Sequence, residues 1–256
     1  MTEYLNNSLR DAGDFISAHR VAGSVAVSIR QAADMKLLFP EKVASMGLDK
    51  TFWWKDATRS LKITRQSNAH RANPFFNADL AMRLKILFPE RTAELDIDED
   101  AWQKINKSLA SLRKWKDWRN FFQEAVNAKV LFPGKAAELN LDDQAWQEMT
   151  KGIERCRQLN DYRSVAEYAK YAKILFPEKG AELELNKEDW QKINQLLVRY
   201  REEKDGDDYR EFTFLASMMK LLAAQKVEIT DQGIECTMRP AGRAKKEKSP
   251  AKKAKR

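Results

Sequence analysis

Histidine and cysteine, which most often carry acid–base, thiol or metal chemistry, are rare in this chain. His19 and His70 lie far apart, and neither belongs to an HExxH or Cys/His pattern. Cys156 and Cys236 are 80 positions apart and form no CxxC pair. These spacings give no support for a zinc site or a catalytic thiol, so both cysteines are interpreted as small apolar residues.

Other catalytic motifs are also missing from the sequence. No phosphate-binding GxxxxGK[ST], dinucleotide-binding GxGxxG or nucleophile-elbow GxSxG string occurs. The carboxylate-rich segments Asp96–Asp100 and Asp205–Asp208 lack EF-hand spacing and are interpreted as solvated helix caps and loops. We therefore expect no catalytic residues, no metal site and no cofactor. An enzyme with its active site in a groove stays open as a remote alternative.

Seven tryptophans could instead stack on bases or sugars. Three of them fall on the apolar faces of predicted helices, which favours core packing over a ligand platform: Trp102, Trp146 and Trp190. Trp115 lies off that face, in the segment Arg113-Lys114-Trp115-Lys116. A basic, aromatic segment at a turn between helices is a candidate nucleic-acid contact, and Trp53 beside Trp54 is a second candidate.

The positive charge of the chain is concentrated at its C-terminal end. Residues 239–256 hold nine basic residues and one acid, which leaves 37 basic and 37 acidic residues in 1–238. This segment has no large apolar side chain, so we expect it to be disordered and to bind polyanions. Its candidate contact residues are Arg243, Lys245, Lys246, Lys248, Lys252, Lys253, Lys255 and Arg256.

A repeat of about 44 residues organises the rest of the sequence. The string Leu-Phe-Pro begins at positions 38, 87, 131 and 175, and tryptophans recur at 102, 146 and 190. Because the Leu-Phe-Pro strings from position 87 onward and the tryptophans recur with the same spacing of 44 residues, the sequence indicates a repeat protein. Each unit predicts two helices: the first starts after an Asp or Asn cap such as Asp98, and the second ends at the proline. The segment after the proline predicts a short connecting helix.

After the last repeat the apolar periodicity changes from helical to alternating. Residues 226–238 alternate around Gly233, which predicts a β-hairpin that caps the last helical pair. We therefore predict an all-α fold, a right-handed α-solenoid of about five helical hairpins with a disordered basic tail. The expected boundaries are 1–225 for the repeats (units near 3–45, 49–94, 98–138, 142–182 and 186–225), 226–238 for the hairpin and 239–256 for the tail.

The two-helix unit is similar to the HEAT and tetratricopeptide kinds of helical repeat. More closely, the pattern LFPEK…ELxLD…W resembles a family of bacterial repeat proteins without an assigned activity, over about residues 30–238. That resemblance implies an α-helical repeat and no site residues. The tail resembles the lysine-rich tails of linker-histone-like proteins in composition.

These observations favour noncatalytic binding, because stacked helical pairs form an extended surface for a macromolecular partner. The partner could be a protein, or a nucleic acid bound without sequence specificity. No apolar stretch is long enough to span a bilayer, and the N-terminus lacks a signal-peptide pattern. We expect a cytoplasmic protein, with association with the nucleoid or the ribosome as a possibility.

Overall fold

The computed structural model confirms an α-helical fold. It describes residues 25–38, 40, 51–66, 74–95, 97–180, 185–202, 206–222, 227–230 and 233–236. The tail residues 239–256, the two histidines and the cap expected at Asp49 lie outside the described residues. None of the described helices is long and apolar enough to cross a membrane.

Ten α-helices and two short strands are described. The helices are α1 (Val25–Leu38), α2 (Thr51–Gln66), α3 (Pro74–Leu87), α4 (Glu99–Lys114), α5 (Trp118–Leu131), α6 (Asp143–Gln158), α7 (Tyr162–Leu175), α8 (Pro177–Gly180), α9 (Lys187–Glu202) and α10 (Gly206–Leu222). The strands β1 (Val227–Thr230) and β2 (Gly233–Cys236) pair antiparallel with Val227 opposite Cys236, and β2 lies beside α9.

The helix boundaries follow from caps that the sequence predicts. The carboxylates of Asp98 and Asp142 accept hydrogen bonds from the backbone three residues on, at 2.9 Å, and start α4 and α6. Asn186 and Asp189 exchange hydrogen bonds in a capping box at the start of α9. A short helical segment follows the proline of three Leu-Phe-Pro strings in the described part of the chain: Pro89–Leu95, Pro133–Leu139 and α8.

The second helices of the repeats form an inner layer. These inner helices are α1, α3, α5, α7 and α10, and each packs on the next in that order. The outer helices α2, α4, α6 and α9 pack behind them. Buried alanines at one repeat position of the inner helices face this layer and let the helices approach closely: Ala32, Ala81, Ala125, Ala169 and Ala216.

The inner helices close into a ring, whereas the right-handed α-solenoid predicted from the sequence did not specify whether its two ends meet. In an open solenoid each repeat touches only its neighbours, so the first and last inner helices stay apart. Here α10 packs on both α7 and α1. Ser217 of α10 lies 3.5 Å from a carboxylate oxygen of Asp34 on α1. The rotation from one repeat to the next is therefore large enough for a row of five inner helices, packed side by side, to close on itself.

A set of five lysines marks the ring closure. Each inner helix has a lysine near its C-terminal end whose Nζ donates to a backbone carbonyl at the end of the next inner helix, at 2.5–2.9 Å. The last of the five returns to the first helix. Because the carbonyls at a helix end lack intrahelical partners, these lysines satisfy them and hold all the C-terminal ends at one edge. The pairs are Lys36–Leu87, Lys85–Val130, Lys129–Ile174, Lys173–Leu221/Leu222 and Lys220–Leu38.

Candidate functional site: the charged centre and the basic edge of the ring

The geometry of the ring brings side chains of the inner helices together at its axis. Packed helices lie about 8–10 Å apart, so a ring of five places each helix axis about 7–9 Å from the centre. Long polar side chains span that distance. The residues that meet there form a charged centre, which consists of Asp34, Asp79, Arg83, Glu167 and Lys170, from α1, α3 and α7.

Arg83 of α3 is the main cation of this centre. It lies 3.2 Å from Asp34 and 3.1 Å from Asp79, and Asp79 also accepts from Arg30 at 3.0 Å. Burial acts to raise the pKa of Asp79, but the two guanidinium groups outweigh it and the pKa lies below its usual value. Burial dominates at Asp34, where the pKa is raised even though Arg83 and Lys170 oppose the shift.

Glu167 of α7 is also held by specific partners. It accepts a hydrogen bond from Arg119 of α5 at 2.8 Å and one from the hydroxyl of Tyr171 at 2.8 Å. Burial would raise its pKa, but the charge of Lys170 and these two hydrogen bonds lower it. Each of the three carboxylates in the charged centre therefore has a guanidinium partner.

Glu124 of α5 is a buried carboxylate without such a partner. It has no exposed surface, and neither of its oxygens accepts a hydrogen bond from any described residue. Burial raises its pKa to about 7, Asn127 offsets part of the shift, and Asp79 adds to it. The Asn127 amide nitrogen also lacks a partner with normal hydrogen-bond geometry among the described residues. Glu124 therefore exchanges a proton near neutral pH.

No metal site is evident in this arrangement. Within the part of the chain that the structure describes, no three His, Cys, Asp or Glu side chains lie close enough together to hold a metal ion. The arrangement can instead hold and transfer protons. It combines a buried carboxyl group without an ion-pair partner, an amine and a tyrosine hydroxyl on the adjacent inner helices α5 and α7.

A second candidate site lies where α4 and α6 end and α5 and α7 begin. This basic edge is defined by Lys114, Trp115, Lys116, Arg155 and Leu159, all of them exposed. Trp115 is 76% exposed, and Leu159, at the equivalent repeat position, is 70% exposed. The two exposed apolar side chains stand at equivalent turns of successive repeats, and an exposed tryptophan is a residue type enriched at binding interfaces.

The backbone at these turns explains why the side chains point outward. Lys116 has a φ of 57°, and the backbone N–H of Asp117 bonds the carbonyl of Leu112 at 2.9 Å. Asn160 has a φ of 56° at the equivalent turn one repeat later, and the backbone N–H of Asp161 bonds the carbonyl of Cys156 at 2.9 Å. This left-handed C-terminal cap satisfies the helix end through backbone groups alone. The side chain just before it is left in solvent.

The four residues of the basic segment predicted from sequence have different surroundings. Arg113 donates to the carbonyl of Asn140 at 2.8 Å and forms an ion pair with Asp142, the cap of α6. It therefore ties one repeat to the next. Lys114, Trp115 and Lys116 are exposed, and the Nζ of Lys114 lies 6.0 Å from the indole ring.

Charged residues are distributed unevenly along each outer helix although residues 1–238 are neutral in total. Helix α4 starts with Glu99 and Asp100 and ends with Arg113 and Lys114. Helix α6 starts with Asp143 and ends with Arg155 and Arg157. Arg113 and Arg157 form ion pairs with acids at the start of the next outer helix, Asp142 and Asp189. Lys114 and Arg155 stay exposed, and with Lys116 they supply the positive charge of the basic edge.

The other tryptophans whose side chains the structure describes pack against the core. Trp102 and Trp190 are buried, and the half-buried Trp146 packs on Phe176 at 5.3 Å, as expected for core residues. Trp54 is buried against Phe88, which removes it as a stacking candidate, and the side chain of Trp53 lies outside the described part. Cys156 is half-buried in the core, and burial raises the pKa of its thiol.

Sequence reasoning missed the charged centre and the lysine contacts. One signal was available, since four lysines stand two residues before the leucine of Leu-Phe-Pro. A second signal was the presence of charged residues such as Asp34, Asp79 and Glu124 inside otherwise apolar helices. The sequence did not show that these charged residues lie close together in space, because their proximity depends on closure of the ring.

Comparison with family models, curated proteins and solved structures finds no significant match for this chain. The charged centre and the basic edge therefore carry the functional inference.

Proposed function

We propose that this protein is a noncatalytic binding protein that contacts nucleic acid through its basic edge. The observation that carries the proposal is Trp115, 76% exposed between two exposed lysines. An exposed indole stacks on bases of any sequence, and flanking lysines contact the phosphates. The segment 239–256 adds further phosphate contacts without sequence preference. Binding of this kind fits a cytoplasmic protein at the nucleoid or the ribosome.

A second candidate, an acidic protein partner, is favoured by Leu159. A leucine side chain has no aromatic ring that could stack on a base. Leu159 is nevertheless 70% exposed at the position equivalent to Trp115. A pair of apolar anchors with basic neighbours also suits a protein surface of opposite charge. In this reading the ring is a scaffold for a macromolecular partner.

The finer architecture belongs to the same proposal. We take residues 1–225 as five helical hairpins of a repeat similar to the bacterial repeat family, with 226–238 as a cap. The position of β2 beside α9 supports the cap, because a two-stranded hairpin is marginal in water by itself.

The test measures binding of the full-length protein to a 20-nucleotide single-stranded RNA and to duplex DNA across a salt series. We compare three variants with the wild type: Trp115→Ala, Lys114→Ala with Lys116→Ala, and a tail variant in which Lys252, Lys253 and Lys255 become Gln. The matched control changes Lys104 and Lys179 to Ala, because these exposed lysines are ion-paired with Asp100 and Asp143.

We expect Trp115→Ala to weaken RNA binding by about tenfold, in line with the loss of about 1–3 kcal/mol for one stacked base. Loss of both edge lysines should lower the salt slope for duplex DNA by about two. Unchanged binding in both edge variants would contradict the proposal. Loss only in the tail variant would make the tail the contact, and absence of nucleic-acid binding would favour the acidic protein partner.

A further inference from the structure

An open groove runs along the exposed face of α4, on the outside of the ring. It lies between α4, the first turn of α5 and residues 138–140, and its volume is about 400 Å³. Sites for small ligands range from about 300 to 1,000 Å³. The groove therefore has the size of a site for one small polar ligand, such as a single unpaired nucleotide.

The floor of the groove is apolar. Leu109 of α4, Phe121 of α5 and Leu139 line it, and all three side chains are buried in the protein core. A flat aromatic ring suits a floor of this kind, because one face of the ring leaves water when it lies against apolar side chains.

The rim of the groove carries amide groups. Asn106 lines it, and no described residue forms a hydrogen bond with its side chain. Gln103 donates to Glu99 at 3.0 Å, which leaves the side-chain oxygen of Gln103 available. Amides both donate to and accept from the edges of unpaired bases. The rim can therefore hydrogen-bond the edge of a base that lies on the floor.

Lys107 is an exposed cation of the groove, and no described residue forms an ion pair or a hydrogen bond with it. The other charged residues that line the groove have partners. Arg113 is held by the carbonyl of Asn140 and by Asp142, and Glu138 accepts from the indole N–H of Trp102 at 3.2 Å. Lys107 is therefore the cation that is available to a phosphate.

The groove leads to the basic edge. Gln103, Lys107, Ala110 and Lys114 follow one another at steps of four, three and four residues, which places them on one face of α4. The first three line the groove, and Lys114 lies beside Trp115 on the basic edge. Lys107 and Lys114 are about 10 Å apart along the helix axis. One strand can therefore contact both lysines with neighbouring nucleotides.

The equivalent surface of α6 does not have this character. Glu154 stands at the repeat position of Ala110, and Lys151 stands at that of Lys107. Lys151 is paired with Glu148 at 2.8 Å. A carboxylate on this face and a neutralised lysine disfavour a phosphate. Lys151 is therefore a matched control for Lys107.

We propose that the groove on α4 binds one unpaired nucleotide of a single-stranded nucleic acid whose neighbouring base stacks on Trp115. Lys107 contacts the phosphate, the base lies on the apolar floor, and Gln103 and Asn106 contact its edge. This inference rests on the proposed function and adds a preference for single strands. The bases of a duplex are paired with each other and cannot enter the groove.

The experiment measures binding of the full-length protein to a 20-nucleotide single-stranded RNA and to a 20-base-pair duplex RNA by fluorescence anisotropy across a salt series. We expect the single strand to bind at least fivefold more tightly than the duplex at the same salt concentration. Lys107→Ala should weaken single-strand binding at least threefold and lower its salt slope by about 0.7. Lys151→Ala should leave both values unchanged. Tighter binding of the duplex would overturn the proposal.

A second variant pair places an acid inside or outside the groove. Ala110→Glu introduces the residue that α6 carries at the equivalent exposed position, so we expect it to fold. It should weaken single-strand binding at least tenfold. Ser111→Glu adds the same charge at the next residue, which is exposed and does not line the groove, and it should weaken binding by less than threefold. Equal losses for the two variants would overturn the groove as the binding site.

Trp115→Ala separates this inference from the proposed function. If Trp115→Ala weakens single-strand binding while Lys107→Ala and Ala110→Glu do not, the groove is refuted and the contact at the basic edge stands. If none of the three variants changes binding, both the groove and the contact at the basic edge are refuted.

Discussion

Two repeats, α4 with α5 and α6 with α7, share their caps, turns and lysine contacts. They differ in the buried carboxylates of their inner helices. Both start with an aspartate cap and turn through a left-handed residue. Both also end with a lysine that bonds the next helix, Lys129 or Lys173. The carboxylates on their inner helices differ. Glu167 has Arg119 and Tyr171 as partners, whereas Glu124 has none among the described residues.

Burial acts to raise the pKa of both glutamates, and the partners of Glu167 account for its opposite shift. Both glutamates are buried, yet the pKa of Glu167 is lowered and the pKa of Glu124 is raised to about 7. The repeat offset of 44 places Gln123 opposite Glu167, so Glu124 lies one residue further along the helix. One residue rotates a helical side chain by about 100°. The residue of α3 that is equivalent to Arg119 is Phe75, so the arginine that pairs with Glu167 has no counterpart in the preceding repeat.

The largest expected effect compares equivalent tryptophans in the two repeats. Trp102 is 1% exposed, packs on Phe132 at 5.3 Å and donates to Glu138 at 3.2 Å, whereas Trp146 is only half-buried. We expect Trp102→Ala to lower the free energy of unfolding by about 3–5 kcal/mol, with a smaller loss for Trp146→Ala. Urea unfolding measures both. Equal losses would show that exposure does not distinguish the two sites.

The next largest effect is the change in stability at pH 8 when each of the two glutamates becomes glutamine, and we expect opposite signs for the two variants. The pKa of Glu124 is near 4.5 in the unfolded chain and about 7 in the folded protein. The free energy of unfolding therefore falls as the pH rises between these two values, because only the unfolded chain releases the proton readily. At pH 8 the cost is about 3 kcal/mol. Glu124→Gln should therefore stabilise the protein by up to that amount at pH 8 and change little at pH 4.

Glu167→Gln is the matched change in the next repeat. Its lowered pKa means that the charged form contributes stability above about pH 4.5, and that this contribution is lost as the pH falls through the folded pKa. We expect a loss of about 2 kcal/mol at pH 8, the usual size for hydrogen bonds to a charged group. Chemical unfolding at pH 4 and pH 8 checks both variants. The same sign for both at pH 8 would contradict the comparison.

The smallest effect separates the two turns. Lys116 holds a left-handed φ of 57°, whereas the sister turn has Asn160, which tolerates that conformation. We expect Lys116→Gly to raise the free energy of unfolding by about 1 kcal/mol and Asn160→Gly to change it by less. Thermal unfolding of the two variants compares them directly, and a larger gain for Asn160→Gly would contradict backbone strain at Lys116 as the cause of the difference.

Much of the local structure was predictable from the sequence. The caps at Asp98 and Asp142, the helix ends before the prolines and the burial of Trp102 and Trp190 follow from local backbone chemistry and helical periodicity. Trp115 was also recognisable, because it departs from the apolar face of its helix. The charged residues inside α1, α3 and α7 were visible in the sequence, but their partners on other helices lie 48 or 49 positions away.

The sequence by itself determined the repeat, the helices, their caps and the basic composition of residues 239–256. Each of these depends on residues within one or two turns of one another. Tertiary structure alone decided that α10 returns to α1, and with it which charged residues meet and which remain unpaired. The reason is that the rotation from each repeat to the next accumulates over five units, and whether it closes a ring is a property of all the interfaces together.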